Sequence, residues 1–134
     1  MPAPRRAVQP EPERLQALYH YQVLDSPPEP SFDRLTALAA RLFDVPIALV
    51  SLVEQERQWF KSAHGLCKRE TPTSVSFCKH TLSGDSVLVV PDAAADPRFA
   101  DNDLVTGAAH IRFYAGAPLI TPDGYNLGSL CIID

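Results

Sequence analysis

Cysteine and histidine are the first residue types in this chain to consider for nucleophilic or transition-metal chemistry. The 134 residues include three cysteines and four histidines, and Cys78 and His80 are the closest such pair. Residues two positions apart on a helix, the element expected here, point to nearly opposite sides and cannot hold one metal ion together. Further ligands would have to come from His64 or His110, without a recognised metal-site spacing. The pattern therefore favours a half-buried thiol and a surface imidazole over a metal centre.

The number and spacing of the cysteines indicate the cellular compartment. Cys67, Cys78 and Cys131 form an odd set without a Cys-X-X-Cys pair, whereas a small secreted domain normally has an even number. We therefore expect reduced thiols and a cytoplasmic location. Cys131 lies in an apolar run and is expected to fill the core.

A group of acidic residues could suggest a calcium site. Its members are Asp92, Asp96, Asp101 and Asp103. The group lacks the glycine and the terminal glutamate of an EF-hand loop, so roles in turns and helix caps are favoured. Arg98, His110 and Arg112 could hold an anionic ligand, but solvation or pairing with these aspartates is the favoured interpretation.

The composition excludes several classes of protein. A net charge of −4 and a pI near 5.5 argue against a nucleic-acid-binding surface, which needs a clustered basic face. The longest apolar run, Pro46 to Leu52, has the length of a strand rather than of a membrane span. No apolar segment follows the charged N-terminus, so no signal peptide is expected. The length and the 46% of hydrophobic residues fit one soluble domain.

The spacing of apolar residues predicts two helices in the first third of the chain. Residues 1–12 are rich in proline and are expected to form a flexible tail. The first helix is predicted from Glu13 to residue 24. Ser26 and Glu29 have the spacing of a capping box and predict a second helix over residues 29–43. We expect its apolar stripe to face a sheet: Phe32, Leu35, Leu38, Ala39 and Leu42.

The rest of the chain favours strands. The predicted strands are residues 47–53, 57–63, 87–90, 114–120 and 127–133. The first is apolar on both faces, which is typical of a central strand, and Pro118 predicts an edge or bulge position. A short helix is predicted over residues 74–82, while residues 64–73 and 92–106 are expected to be irregular. Together these elements predict an α+β fold, an antiparallel sheet with helices packed on it.

Several motifs, in this order, resemble those of a GAF domain, a sensory domain of bacterial signalling proteins. They are Leu24-Asp-Ser-Pro-Pro-Glu with Phe32-Asp-Arg-Leu, Pro46-Ile-Ala-Leu-Val-Ser-Leu-Val, Arg57-Gln-Trp-Phe-Lys-Ser, Ser76-Phe-Cys-Lys-His, Val90-Pro-Asp with Asp96-Pro-Arg-Phe, Ile111-Arg-Phe-Tyr-Ala-Gly-Ala-Pro-Leu, and Leu127-Gly-Ser-Leu-Cys-Ile-Ile-Asp. The resemblance covers residues 13–134. It implies a central antiparallel sheet of about six strands with helices on both faces. It also implies a dimeric sensor, which controls an output such as a histidine kinase of a two-component system or a diguanylate cyclase.

In this fold a small-molecule pocket would lie between the sheet and residues 74–114. Such a pocket is mostly apolar with a few convergent polar groups. The candidate ligand-binding residues are Phe77, Cys78, Asp92, Phe99, His110 and Tyr114. The aromatic side chains are expected to line the pocket, and the aspartate and histidine to lie at its rim. These residues do not identify the ligand, and no cofactor is expected.

The chain is expected to be a binding and regulatory domain without enzymatic activity, because no nucleophile, base and orienting group occur at a recognised spacing. The alternative is a cysteine-dependent reductase of free methionine sulfoxide, an activity of some stand-alone GAF proteins. Cys67 and Cys78 could meet as its reactive and resolving thiols. Covalent bilin attachment, known in other relatives, would need a histidine directly after the cysteine, and Lys79 intervenes.

The first helix is the expected contact of a homodimer. GAF domains usually end in a further helix, and this chain ends at Asp134 directly after the last predicted strand. If the second helix covers the sheet, the stripe of the first helix remains for a partner. Its members are Leu15, Leu18, Tyr19 and Val23. We expect no contact with nucleic acid and no insertion into a membrane.

Overall fold

One antiparallel sheet organises the part of the chain that the computed structural model describes, residues 11–72, 86–107 and 110–134. Within these residues there are six strands: β1 (Ile47–Val53), β2 (Arg57–His64), β3 (Glu70–Pro72), β4 (Leu88–Val90), β5 (Tyr114–Ile120) and β6 (Asn126–Ile133). The same residues include three helices: α1 (Glu11–His20), α2 (Pro30–Phe43) and α3 (Asp103–Thr106). The strand order is β3-β2-β1-β6-β5-β4, and every neighbouring pair is antiparallel. The predicted α+β fold is confirmed.

Strand β1 lies inside the sheet, because it pairs with β2 on one edge and with β6 on the other. Six of its seven residues are buried, as its apolar run predicted. Alternate side chains of a strand point to opposite faces. Leu49 and Val53 therefore enter one buried cluster, whereas Ala48 and Leu52 pack on the other face.

The first face of the sheet, which we call the loop side, is covered by residues 91–107 together with Ile111. Phe60 of β2 packs with Phe99 in this layer. The short helix α3 belongs to the cover, and Asn102 caps it by accepting a hydrogen bond from the Leu104 N–H at 2.8 Å. The sequence predicted no helix here, since four residues are too few to display a helical period.

The opposite face, which we call the helix side, carries α1 and α2. Helix α2 packs on β1 and β2 through small residues, because Thr36, Ala39 and Ala40 are its buried members. The Ser62 hydroxyl on β2 donates to Asp33 at 2.6 Å and lies 2.8 Å from the Thr36 hydroxyl. The predicted stripe is therefore confirmed only in part, because Ala39 is buried and Phe32 half-buried. The leucines of this helix and Phe43 are exposed: Leu35, Leu38, Leu42 and Phe43.

The start of α2 also differs from the capping-box prediction. The helix begins at Pro30, and the Glu29 side chain at the N-cap position makes no capping hydrogen bond. The Ser26 hydroxyl instead donates to the Val23 carbonyl and accepts from the Lys61 ammonium. The buried Lys61 on β2 therefore binds the Ser26 hydroxyl, which the capping-box motif had assigned to the start of the helix.

Helix α1 contributes to the core of the chain. Leu18 is completely buried and packs with Trp59. Leu15 and Val23 pack against the same cluster, whereas Tyr19 remains 48% exposed. The structure therefore corrects the expectation that this stripe is left for a partner, and only Tyr19 of the four residues presents a large exposed surface.

A buried arginine holds α1 on the sheet. The Arg14 guanidinium bonds both carboxylate oxygens of Glu11, at 2.8 and 3.0 Å, and donates to the Asn126 carbonyl at 3.3 Å. The hydrogen bond from Arg14 lowers the pKa of Glu11. Glu11 and Pro12 are consequently helical, so α1 begins two residues before the predicted boundary.

Replacing Leu18 by alanine tests the placement of α1 in the core. Loss of a fully buried leucine should lower the free energy of unfolding by about 2–5 kcal/mol. Leu42→Ala, on the exposed side of α2, should change it by no more than about 0.5 kcal/mol. Urea unfolding followed by circular dichroism measures both. A cost for Leu18→Ala as small as that of the control would show that α1 is not part of the core.

Candidate functional site

A cavity of about 220 Å³ opens between the loop side of the sheet and its cover. Its apolar wall is formed by residues from four strands, the β2–β3 connection and the cover: Ile47, Leu49, Phe60, Leu66, Leu104, Ile111, Tyr114 and Ile133. Gln58, Lys68 and Thr71 add polar groups at the end near β2 and β3. Apolar walls with a few polar groups are the usual pattern of a small-molecule site. We call this space the loop-side cavity.

Tyr114 is the predicted site residue that lines this cavity. Its side chain is completely buried, and its hydroxyl lies 3.4 Å from the Ser129 hydroxyl. Phe99 is completely buried as well, but it belongs to the core around the cavity rather than to its wall. Phe77 and Cys78, the other two candidates for the lining, lie outside the described residues.

The two predicted rim residues are exposed and do not line the cavity. Asp92 accepts a hydrogen bond from the Ala94 N–H at 3.1 Å, which is a turn contact. His110 adopts a positive φ of 54°, and its Nδ1 lies 3.2 Å from the Arg112 guanidinium. The structure therefore gives both residues local roles in the loops instead of placing them at the rim.

The two arginines that could hold an anionic ligand are paired within the protein. Arg98 forms two hydrogen bonds with the Asp96 carboxylate, at 2.7 and 3.0 Å, and these raise the pKa of Arg98. Arg112 donates to the carbonyls of Val105 and Ile111, each at 2.9 Å. Pairing of Arg98 with a neighbouring aspartate, the interpretation favoured from the sequence, is confirmed.

The polar end of the cavity was missed by sequence reasoning. Residues 64–73 were expected to be irregular, but β3 pairs with β2 here and sets Thr71 opposite Gln58. A strand of three residues with Pro72 at its end shows no alternation that could be recognised. The signal in the sequence that could have indicated this return was Gly65. Its φ of 79° marks the turn that leads the chain back along β2.

Three hydroxyl groups lie together on the loop side of the sheet. Ser51 of β1 and Ser129 of β6 are directly opposite each other, and the Tyr114 hydroxyl reaches Ser129. All three residues are completely buried. Among the described residues, the Ser51 hydroxyl is the buried side-chain oxygen that has no hydrogen-bond partner, although buried hydroxyls normally have one. The floor beside the cavity therefore retains an unused donor and acceptor.

The cysteines differ in exposure. Cys67 is exposed, whereas Cys131 is 1% exposed and fills the core as predicted, and Cys78 lies outside the described residues. Within residues 11–72, 86–107 and 110–134, no group of three or more His, Cys, Asp or Glu side chains is placed to hold a metal ion. In that same part of the chain, none of the helices has the length and hydropathy needed to cross a bilayer.

Comparison with known families identifies the fold. The profile of the GAF domain family matches residues 27–134. The chain belongs to the GAF domain family. Solved structures agree: the GAF domain of a phosphoenolpyruvate-protein phosphotransferase from Acinetobacter superposes with a TM-score of 0.59 at 14% identity, covering 92% of this chain and 76% of that one. The free methionine-R-sulfoxide reductase from Neisseria meningitidis, in complex with its substrate, gives 0.61 at 18% identity, covering 92% and 72%. Identities this low establish the shared fold alone.

A curated relative is much more similar in sequence. This GAF domain is 46% identical over 127 residues to a cyclic di-GMP phosphodiesterase from Pseudomonas aeruginosa. The match covers 93% of this chain and 22% of the relative. The GAF domain therefore spans about a fifth of that protein.

These names correct the expectation that this chain is not an enzyme. The 46% identical relative is named as a phosphodiesterase, and a structural neighbour with the same fold is a reductase. The absence of a recognised catalytic motif from the sequence was therefore insufficient grounds for excluding enzymatic activity.

The unpartnered hydroxyl at the floor of the site can be tested by substitution. Ser51→Ala removes a buried hydroxyl that makes no hydrogen bond among the described residues, so it should be neutral or stabilise the GAF domain by up to about 1 kcal/mol. Ser129→Ala breaks the contact with Tyr114 and should destabilise it by about 1 kcal/mol. Thermal unfolding of both variants gives the comparison. Equal destabilisation by the two substitutions would mean that Ser51 has a partner.

Proposed function

We propose that this GAF domain is a regulatory domain that binds a small metabolite in the loop-side cavity and thereby controls turnover of cyclic di-GMP by a longer protein. The observation that carries the proposal is the loop-side cavity itself. It lies between the sheet and its cover, it is walled by apolar side chains, and it has polar groups at one end. A concave apolar space with a few polar groups is the form that small-molecule sites take.

The size of the cavity favours a compact ligand. Its 220 Å³ is below the range of roughly 300–1,000 Å³ that is usual for drug-sized ligands. A dinucleotide such as cyclic di-GMP is too large for such a space, so the ligand sensed here would differ from the substrate of the output. The Lys68 ammonium and the Gln58 amide favour a ligand with an acceptor or anionic group at that end.

The sequence relationship supports the choice of output. The relative with 46% identity is named for the hydrolysis of cyclic di-GMP, which favours this output over the histidine kinase or diguanylate cyclase that the family resemblance implied. Because the match spans 22% of that protein, the regulated activity would lie in the longer protein as a whole.

The position of the cavity suggests how binding could be transmitted. A ligand there would contact Leu104 and Ile111 of the cover together with Leu49 of the sheet. It would stabilise the arrangement of cover and sheet that it fits best, and it can shift the equilibrium only by its difference in affinity between arrangements.

The homodimer expected from the sequence stays a prediction. The contact predicted for it needs revision, because Leu18 is completely buried within the chain. A group of exposed apolar side chains lies on α2 instead, with Leu42 the most exposed. Light scattering at micromolar concentration measures the molar mass of the protein in solution and so tests whether it is a dimer.

A cavity-filling variant tests the proposed site. Leu104→Trp should occupy the loop-side cavity and reduce ligand affinity at least about tenfold, since the indole takes the ligand's space. Val89→Trp is the matched control, because Val89 is half exposed and does not line the cavity. A thermal-shift screen of metabolites on the unmodified domain identifies the ligand, which at 100 times its Kd should add about 2.7 kcal/mol.

The same pair of variants separates binding from regulation. In the longer protein, the ligand should change the rate of cyclic di-GMP hydrolysis, and Leu104→Trp should abolish that response while Val89→Trp retains it. The proposal fails if no metabolite stabilises the domain, or if Leu104→Trp responds like the unmodified protein.

A further inference from the structure

A second cavity, of about 360 Å³, lies on the helix side of the sheet and shares no lining residue with the loop-side cavity. We call it the helix-side cavity. Its wall is mostly apolar and includes Phe32, Val50, Leu119 and Leu127. Its volume falls within the range of roughly 300–1,000 Å³ that is usual for small-molecule sites.

A β-bulge places a cation in this wall. Val50 pairs with Ser62 and Ser51 pairs with Phe60, so Lys61 is the extra residue between them. Its side chain is directed to the helix side, where it is 1% exposed. Among the described lining residues, Lys61 is the single basic side chain. The helix-side cavity therefore combines apolar walls with one buried positive charge.

The hydrogen-bond and ion-pair partners that the structure records for Lys61 all come from the segment between α1 and α2. The ammonium donates to the Ser26 hydroxyl at 2.8 Å and to the Pro27 carbonyl at 2.7 Å, and pairs with a Glu29 carboxylate oxygen at 2.6 Å. Two of these acceptors are neutral. Within the described chain, Glu29 is the carboxylate that neutralises the buried charge.

Glu29 is suited to exchange with a ligand carboxylate. Its side chain is 56% exposed, although its partner is buried, and it makes no capping hydrogen bond at the start of α2. A long exposed side chain loses conformational entropy when it is held in one pairing. Displacing Glu29 into water therefore costs little, provided that another carboxylate replaces it, because an unpaired buried ammonium is costly.

We propose that the helix-side cavity binds a small organic acid with an apolar body. The carboxylate of the acid takes the place of Glu29 on the Lys61 ammonium. The apolar body packs against Phe32, Leu119 and Leu127, which line the cavity. A cationic ligand would be repelled by the Lys61 ammonium. A neutral ligand could not replace the Glu29 carboxylate in its ion pair with Lys61.

Titration of the purified chain with 3-phenylpropionate at pH 7 tests this inference. Calorimetry should show saturable binding of the acid, and the neutral 3-phenylpropionamide should bind at least about tenfold more weakly, because a charge-assisted hydrogen bond is lost. Equal affinities for acid and amide, or no binding of the acid at millimolar concentration, would overturn the proposal.

Variants assign the binding to the residues. Lys61→Met should abolish binding. Should this variant not fold, two others carry the test: Glu29→Gln removes the competing carboxylate and should tighten binding about tenfold, while Leu119→Trp fills the cavity and should prevent it. Leu104→Trp, in the loop-side cavity, is the control and should bind the acid unchanged. Weaker binding by Glu29→Gln, unaltered binding by Leu119→Trp, or loss of binding in Leu104→Trp would each contradict the assignment.

Discussion

The buried ammonium of Lys61 is the constraint on which the N-terminal third of the structure depends. An unpaired charge in an apolar layer is costly, so acceptors must be brought to it, and the segment of residues 21–29 supplies all three that the structure records. The same segment separates the two helices, and its Gln22 and Asp25 adopt positive φ values of 53° and 59°, which residues other than glycine seldom adopt.

A second cation fixes the same segment from outside. The Arg57 guanidinium bonds both oxygens of Asp25, at 2.7 and 3.0 Å, and also pairs with Glu54 at 2.5 Å and Glu70 at 2.8 Å. These hydrogen bonds, with Asp25 the largest contributor, raise the pKa of Arg57, so it remains charged at any physiological pH. Single surface ion pairs stabilise little. Arg57 instead joins three parts of the chain at one point: the segment of residues 21–29, the β1–β2 turn and β3.

The sequence was most informative where burial alone decides the structure. The bounds of β1 were predicted because residues apolar on both faces suit a central strand, and Tyr114, one of the predicted site residues, lines the loop-side cavity. Periodicity located α2 and the burial of Ala39 but not the exposure of its leucines, since Ala39 and Ala40 allow a closer approach to the sheet than the leucines would. Gln58 and Thr71 were missed because their positions depend on the pairing of β3, a contact between segments that no local pattern records.

The two cavities share one wall, which is a single layer of sheet. Leu49 and Val50 are adjacent in β1, yet the first lines the loop-side cavity and the second the helix-side cavity. Only the peptide backbone separates the two spaces at this point, since successive side chains of a strand leave on opposite faces. The amide resonances of β1 would therefore respond to occupancy of either space and could not distinguish them. The side-chain methyl groups of Leu49 and Val50 point into different cavities, so their resonances together would report which cavity is filled.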